Sequence, residues 1–146
     1  MPSLEKALVL AAKAHEGQKQ RNGEPYILHP LRLMMKMDNI NDQIAAVLHD
    51  VVEDSDWTLE MLKGEGFSED IVHIVDLLTH RDEDSYAFYI DRLKSNPTAR
   101  RIKIADLNDN MKIQRLKKVG EKDFQRLEKY HKYWKILLQE ENEKVS

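Results

Sequence analysis

The chain has 146 residues, of which 41% are hydrophobic and 34% are charged, with only five glycines and four prolines. This balance is typical of a compact helical domain and excludes a disordered chain and an all-β fold. A net charge of −3 provides no basic field for DNA or RNA. An anionic ligand therefore needs a metal or a few aimed Arg and Lys side chains. Because cysteine is absent, disulfides and thiolate metal sites are also excluded.

No apolar stretch approaches the ~20 residues that span a membrane. The first residues lack the basic start of a signal peptide, and Lys13 and His15 interrupt their apolar run. We therefore expect a cytoplasmic protein that binds neither membranes nor nucleic acids. Nothing in the sequence indicates an oligomeric state.

The apolar spacing predicts an all-α fold, with one domain over residues 1–146 built as a bundle of seven to eight helices. Ser3 caps the first helix, which we expect to reach about Lys19, and Pro30 suits the first turn of the second. Pro30 also disfavours helical backbone at His29, which places that imidazole just before the helix. The other helices are expected to begin near Asn39, Thr58, Ser68, Ser85, Thr98 and Glu121. The helix from Thr98 should reach about Val119, and the final helix should cover about residues 121–141.

The hexapeptide HDVVED, from His49 to Asp54, places four ionisable side chains in an otherwise apolar segment. If a helix runs through it at about 100° per residue, the histidine and the three carboxylates share an arc of roughly 140°. Carboxylates this close repel one another unless a cation lies among them. A divalent metal is the simplest such cation, although a solvated helix face has the same pattern.

Two further residues join this set. His29 lies at a helix start, and Asp106 lies in the largely apolar run IKIADL, where a carboxylate is costly unless it is paired or binds a metal. Two imidazoles and two carboxylates suit Mn²⁺, or alternatively Fe²⁺ or Zn²⁺. A helix-entry role for His29 and a salt bridge from Asp106 to Lys103 remain open. The predicted metal ligands are His29, His49, Asp50 and Asp106.

Four segments match one protein family in that family's own order. They are HEGQKQRNGEPYILHPL (residues 15–31), AAVLHDVVEDSDWT (45–58), DLLT (76–79) and YIDRLKSNPTARRIKIADLNDNM (89–111). The order H…HD…D resembles the HD superfamily of metal-dependent phosphohydrolases. The finer pattern is similar to the hydrolase domain of RelA/SpoT-type alarmone enzymes, especially the small stand-alone members, over residues 4 to about 115.

The resemblance implies an HD-domain fold and Mn²⁺-dependent hydrolysis of the 3′-pyrophosphate of guanosine tetra- or pentaphosphate, (p)ppGpp. The products would be GDP or GTP and pyrophosphate. The resemblance implies the same four metal ligands, and it makes Glu53 and Asp54 the catalytic acidic pair. Arg21 matches the basic residue of a substrate loop, and Asn110 matches an amide that contacts the nucleotide. The expected partner is a small-molecule nucleotide.

Three places depart from the family pattern. Positions 20 and 21 usually carry Arg-Lys, the first of which can stack on guanine, and here they carry Gln-Arg. Leu107 and Asp109 replace a basic residue and a histidine, and Lys112-Ile113 replaces Arg-Thr. All three lie on the predicted substrate side, and we expect none to touch a metal ligand.

Gln20 keeps a place in the predicted substrate site but weakens the case for guanosine. Two alternatives therefore stay open. One is an HD phosphohydrolase of another nucleotide, such as a nucleoside monophosphate or NADPH. The other is a nucleotide-binding module that retains the metal with little turnover, and the intact Glu53–Asp54 pair counts against it.

Overall fold

The computed structural model describes residues 1–145, which form nine α-helices and one short 3₁₀ helix without a β-strand. The all-α prediction is confirmed. Within this range, no helix combines the length and the apolar composition needed to cross a bilayer. In chain order the elements are α1 (Leu4–Ala14), α2 (Leu28–Met35), α3 (Ile40–Leu48), α4 (Val51–Asp54), α5 (Leu59–Gly64), α6 (Glu69–Leu78), α7 (Tyr86–Leu93), α8 (Pro97–Asn110), the 3₁₀ helix (Ile113–Arg115) and α9 (Glu121–Val145).

α3 forms the centre of the molecule. Its residues from Ile44 to Leu48 are completely buried, and α1, α2 and α6 pack around it. α8 packs on α2 and α6, and α9 covers α8. Each buried aliphatic side chain contributes on the order of 1.5–3 kcal/mol. The C-terminal end of α3 is therefore a rigid platform beside α2 and α8.

A tight turn at His49 and Asp50 separates α3 from the single-turn α4. The continuous helix predicted through the hexapeptide is therefore wrong. The imidazole of His49 donates to the carbonyl of Ala46 and competes with the backbone for that acceptor. The regular pattern resumes where the N–H of Asp54 reaches the carbonyl of Asp50.

α1 and α2 each differ from prediction at one end. α1 ends at Ala14, before the predicted Lys19, because Gly17 adopts a left-handed φ of 83° that turns the chain into the next loop. α2 begins at Leu28, so His29 lies inside its first turn, and the non-helical backbone predicted for His29 is wrong. Pro30 is tolerated there because N–H groups of a first turn have no intrahelical acceptor.

α8 ends at Asn110, well before the predicted end near Val119. In a continued helix, residues 109 and 115 would point about 120° apart and lie roughly 9 Å apart along the axis. The turn after α8 instead brings Arg115 back to Asp109, where its NH1 donates to Oδ1 at 2.9 Å. The shorter α8 thus allows an ion pair that a straight helix would prevent.

Candidate metal centre and adjoining clefts

Four buried side chains converge between α2, α3 and α8, and they are the four predicted metal ligands. One ligand atom from each lies within 4.8 Å of the others. α2 contributes His29, α8 contributes Asp106, and the turn after α3 contributes His49 and Asp50. We call these four residues the His/Asp cluster. Their spacing would let all four hold one divalent metal ion.

His49 tests whether a metal fits the cluster. Its Nδ1 donates to the carbonyl oxygen of Ala46 at 2.7 Å, and its buried Nε2 has no hydrogen-bond partner among residues 1–145. That Nε2 lies 2.9 Å from Asp50 Oδ2 and 3.5 Å from Asp106 Oδ1. Because Nδ1 carries the proton that it donates to Ala46, the neutral form of this ring presents the Nε2 lone pair to two carboxylates. A metal ion satisfies this arrangement.

His29 repeats the pattern from the other side of the cluster. Its Nδ1 lies 2.7 Å from Asp109 Oδ2. Its Nε2 lies 2.8 Å from Asp106 Oδ1 and 3.9 Å from Asp50 Oδ2. Both histidines thus point Nε2 at the same two carboxylates, as two imidazole ligands of one ion would.

The buried carboxylates set the charge of the cluster. Burial lowers the pKa of His29, yet hydrogen bonds to Asp106 and Asp109 raise it overall to about 9. Asp50 and Asp106 likewise raise the pKa of His49 well above its usual value, against its burial. The cluster therefore attracts positive charge strongly, in the form of protons or of a metal ion.

Asp106 uses its two oxygens differently. Oδ2 accepts from the buried Nζ of Lys103 at 2.7 Å, whereas Oδ1 faces His29 and accepts from Asn110 Nδ2 at 3.3 Å. Burial alone would raise its pKa, but Lys103 and the two histidines hold the pKa of Asp106 well below the usual range. The salt bridge left open from the sequence is present, and it coexists with an oxygen turned toward the cluster.

Glu53 and Asp54 lie on α4 beside the cluster, and both are exposed. Their carboxylates each approach Asp50 and one another within 4.8 Å. Glu53 Oε1 accepts the backbone N–H of His80 at 2.6 Å, which fixes it against the loop after α6. The surrounding protein and the charge of Asp50 raise the pKa of both carboxyl groups. A raised pKa makes a carboxylate a better proton acceptor near neutral pH.

Tyr26 was not predicted from the sequence. Its hydroxyl donates to Asp50 Oδ2 at 2.5 Å, and its ring packs against those of His15 and His29. Burial and the charge of Asp50 raise the pKa of Tyr26 far above its usual value, so the hydroxyl stays protonated and orients the carboxylate. The available signal was its position three residues before His29.

Two clefts adjoin the cluster and share Tyr26 and Asn110 in their walls. The first cleft, of about 230 Å³, includes His29. The second, of about 200 Å³, includes Glu53 and the two aspartates of the cluster. The charged side chains that line the first cleft are Lys19, Arg21, Lys112, Arg115, Arg126, Asp109 and Asp123. Because the basic side chains outnumber the acidic ones, the first cleft suits a polyanion.

Arg21 and Asn110, two predicted substrate contacts, both line the first cleft. Arg21 is exposed at its mouth, with NH1 3.8 Å from Asp123 Oδ1. Asn110 is also exposed, but its Nδ2 donates to Asp106 Oδ1 in the cluster. The structure therefore brings both side chains to the same cleft, one at the opening and one at the His/Asp cluster.

Gln20, the third predicted substrate contact, also lines this cleft, but its amide is engaged within the protein. Its Oε1 accepts from Arg32 NH2 at 2.7 Å, and its Nε2 donates to the carbonyl of Pro25 at 3.1 Å. Stacking of this side chain on a base would require breaking both bonds.

We expected that no departure from the family pattern would touch a metal ligand, and Asp109 shows that this expectation is wrong. Asp109 contacts the predicted ligand His29 directly. Its spacing of three residues from Asp106 places both on one face of α8, and this was the available signal. The departures at positions 20–21 and 112–113 do line the first cleft, on the expected substrate side. Leu107 is completely buried and lines neither cleft, so the expectation that it lies on the substrate side is wrong.

Known proteins share this sequence pattern. A family model described as HD domain matches residues 7–133. A protein named "Probable GTP pyrophosphokinase" from Mycobacterium leprae is 34% identical over 126 residues, 77% of this chain and 16% of that protein. A guanosine-3′,5′-bis(diphosphate) 3′-pyrophosphohydrolase from Aquifex aeolicus is 33% identical over 121 residues, 75% of this chain and 17% of that protein. The chain thus spans about a sixth of the length of these curated relatives.

A solved structure has the same helical arrangement. It is described as a metazoan ortholog of SpoT that hydrolyzes ppGpp, and it matches with a TM-score of 0.76 at 23% identity. The match covers 96% of this chain and 86% of that chain. HD domains bind divalent metals, and the His/Asp cluster has the donor atoms for one. Because the HD-domain model matches most of the chain and the folds agree, this chain belongs to the HD-domain family.

Proposed function

We propose that this protein is a metal-dependent (p)ppGpp 3′-pyrophosphohydrolase that converts (p)ppGpp to GDP or GTP and pyrophosphate. The observation that carries the proposal is the exposed acidic pair Glu53–Asp54 beside the buried His/Asp cluster. The Aquifex relative is named for this hydrolysis, and the structural neighbour is described as performing it. Another relative is named for GTP pyrophosphokinase activity, so the acidic pair, more than the names, favours hydrolysis.

The His/Asp cluster would hold the ion. Two imidazoles and two carboxylates suit Mn²⁺, with Fe²⁺ and Zn²⁺ as alternatives. When bound, such an ion polarises a phosphoryl oxygen and lowers the pKa of water. Tyr26 would keep Asp50 oriented toward it, and Asp109 would do the same for His29.

The acidic pair would move the protons. Hydrolysis adds a water oxygen to the 3′ phosphorus and breaks the bond from that phosphorus to the ribose 3′ oxygen, which takes up a proton. Glu53, oriented by the N–H of His80, accepts a proton from the attacking water. Asp54, the next residue on α4, returns a proton toward the departing oxygen.

The first cleft would bind the nucleotide. Its five cationic side chains face a substrate that carries phosphates on both the 3′ and 5′ oxygens. Each charge-assisted hydrogen bond to phosphate contributes roughly 1.5–3 kcal/mol. Arg21 at the mouth and Asn110 beside the cluster are the two contacts that we assign most specifically.

A phosphohydrolase of another nucleotide is the second candidate. The observation that favours it is the engagement of Gln20 with Arg32, because this removes the side chain that could stack on guanine. A nucleoside monophosphate or NADPH would then compete as substrate for the same cleft.

The test is incubation of the Mn²⁺-loaded protein with a panel of ppGpp, pppGpp, nucleoside monophosphates and NADPH. Products are identified by anion-exchange chromatography, and pyrophosphate is measured separately. We expect ppGpp to give GDP and pyrophosphate in equal amounts. The matched controls are His49→Ala and Asp106→Ala, which should contain no metal and release nothing. Rapid turnover of another nucleotide, with ppGpp cleaved no faster than in these controls, would reject the alarmone assignment.

A further inference from the structure

Asp109 is the centre of a buried network that holds three basic side chains. Its Oδ2 lies 2.7 Å from His29 Nδ1, and its two oxygens accept from Arg32 Nε and NH2, each at 2.9 Å. Oδ1 also accepts from Arg115 NH1 at 2.9 Å. Its side chain is only 2% exposed. One carboxylate thus ties α8 to α2 and to the 3₁₀ helix.

Arg32 extends this network to the loop before α2. Its NH2 donates to Gln20, whose own amide donates to the carbonyl of Pro25. Gln20 and Arg115 both line the first cleft. Asp109 therefore holds two parts of the cleft wall, Gln20 through Arg32 and Arg115 directly, and it also holds one member of the His/Asp cluster.

We propose that Asp109 is a positioning residue that sets both the metal affinity of His29 and the shape of the first cleft. Only the part of this inference that concerns nucleotide binding in the first cleft rests on the proposed function; the part that concerns metal affinity does not. A histidine that donates from Nδ1 to a carboxylate is fixed in tautomer and ring orientation, and its Nε2 becomes a stronger ligand. The two guanidinium groups compensate the buried charge and hold the carboxylate in place.

Asp109→Asn is the central variant, because it removes the charge and nearly conserves the volume. We expect its Mn²⁺ affinity, measured by isothermal titration calorimetry without nucleotide, to fall ~10–100-fold, the usual effect of losing a partner of a metal-bound histidine. The KM for the nucleotide should rise as well, because both cleft walls lose their anchor. Asp109→Ala, which also removes the acceptor, should weaken Mn²⁺ binding at least as much.

Arg115→Gln is the matched variant, because it removes only the contact between Asp109 and the wall of the first cleft. It leaves the contact between His29 and Asp109 in place, so Mn²⁺ affinity should stay at the wild-type value while KM rises and kcat changes little. This split between the two variants distinguishes a positioning role from a merely structural one. Melting of the metal-free proteins reports any general loss of stability separately.

The proposal is overturned if Asp109→Asn binds Mn²⁺ with the wild-type affinity, whether or not it melts at a lower temperature than the wild type. It is also overturned if Arg115→Gln weakens Mn²⁺ binding as much as Asp109→Asn does. Both titrations are made without nucleotide. If the wild-type protein fails to cleave ppGpp, the proposed function is rejected, but the inference that Asp109 sets the Mn²⁺ affinity still stands.

Discussion

The two histidines of the His/Asp cluster use the same ring nitrogen toward the cluster but different partners behind it. His49 donates from Nδ1 to a backbone carbonyl, whereas His29 donates to the carboxylate of Asp109. A carboxylate partner increases the basicity of a ligand more than a carbonyl does. We therefore expect the two imidazoles to contribute unequally to metal affinity, with His29 depending more on its partner.

Replacing the proposed base should separate chemistry from binding. Glu53→Gln can still accept the N–H of His80 but cannot accept a proton from water, so kcat should fall ~10²-fold or more with fold and Mn²⁺ content unchanged. Steady-state pyrophosphate release, normalised to bound Mn²⁺, measures this. Asp56→Asn is the control, since Asp56 is exposed nearby and lines neither cleft. A double variant, Glu53→Gln with Asp54→Asn, that hydrolyses at the wild-type rate would show that the pair is not catalytic.

Restoring the family's arginine at position 20 should not help this protein. Gln20→Arg replaces an acceptor of Arg32 with a second guanidinium, so the loop should be displaced and the KM for ppGpp should rise, while kcat changes little. Gln20→Met, which loses the bond without adding charge, should raise KM less. A lower KM in Gln20→Arg would show instead that this position stacks on the base.

Part of the site was predictable from single residues. A histidine or aspartate inside an apolar run has few stable explanations, which is why the four members of the His/Asp cluster could be identified as a set. Tyr26 and Asp109 have many ordinary explanations in a sequence. Their roles depend on how α2 packs against α8 and the end of α3, and residue spacing alone does not give that packing.

The corner between α6 and α7 shows how an element end supports the site. Asp76, near the end of α6, accepts from Arg81 NH2 and from Arg92 NH2, the latter at 3.1 Å. Arg81 follows His80, whose backbone N–H holds Glu53. The Asp76 carboxylate thus joins α6, the corner and α7, and stabilises the segment that orients Glu53.

Asp76→Asn should therefore lower stability in a pH-dependent manner. Burial alone would raise the pKa of Asp76, but the two arginines hold it below its usual value. The ionised form thus stabilises the fold fully above the unfolded pKa of about 3.9, and this contribution is lost as pH falls through the lower folded pKa. Urea unfolding should show a deficit of about 1–2 kcal/mol at pH 7 that shrinks below pH 4.

The exposed Asp82→Asn in the same corner is the control and should unfold like the wild type at both pH values. A deficit in Asp76→Asn that stays constant down to pH 3 would show that the carboxylate charge is not the cause.

The regular parts of the helices were easier to predict than their interruptions. Ser3, Ser68 and Ser85 each accept a backbone N–H at a helix start, as local capping rules predict. The break at His49 and the early end of α8 depend instead on side-chain contacts. One is the bond from the His49 ring to Ala46, and the other is the long-range network around Asp109, which no local rule contains.

At the scale of the molecule, α9 completes both clefts. It supplies Asp123 and Arg126 to the first and Lys129 and Tyr130 to the second. Its far end is fixed where the buried Arg100 on α8 donates to Glu141 from Nε at 2.8 Å and from NH2 at 2.7 Å. Because α8 also carries Asp106, the helix that covers the clefts and the His/Asp cluster are joined through one rigid element.

A metal in the cluster should consequently stabilise the whole fold. The cluster ties α2, the end of α3 and α8 together, and a bound divalent ion would add positive charge between its two buried carboxylates. Binding only to the folded state adds about 2.7 kcal/mol when the free ion is at 100 times its Kd. For a chain of this size we expect Mn²⁺ to raise the melting temperature by about 5–10 °C over chelator-treated protein.

His49→Ala should remove this rise, because it deletes one of the four proposed ligands. Arg101→Gln should keep it, because Arg101 lies on the far part of α8, beside Asp42, and outside both clefts. Differential scanning calorimetry at matched ion concentrations measures all three proteins. An equal rise in His49→Ala would place the stabilising ion elsewhere and remove the physical basis for assigning these four residues to the metal.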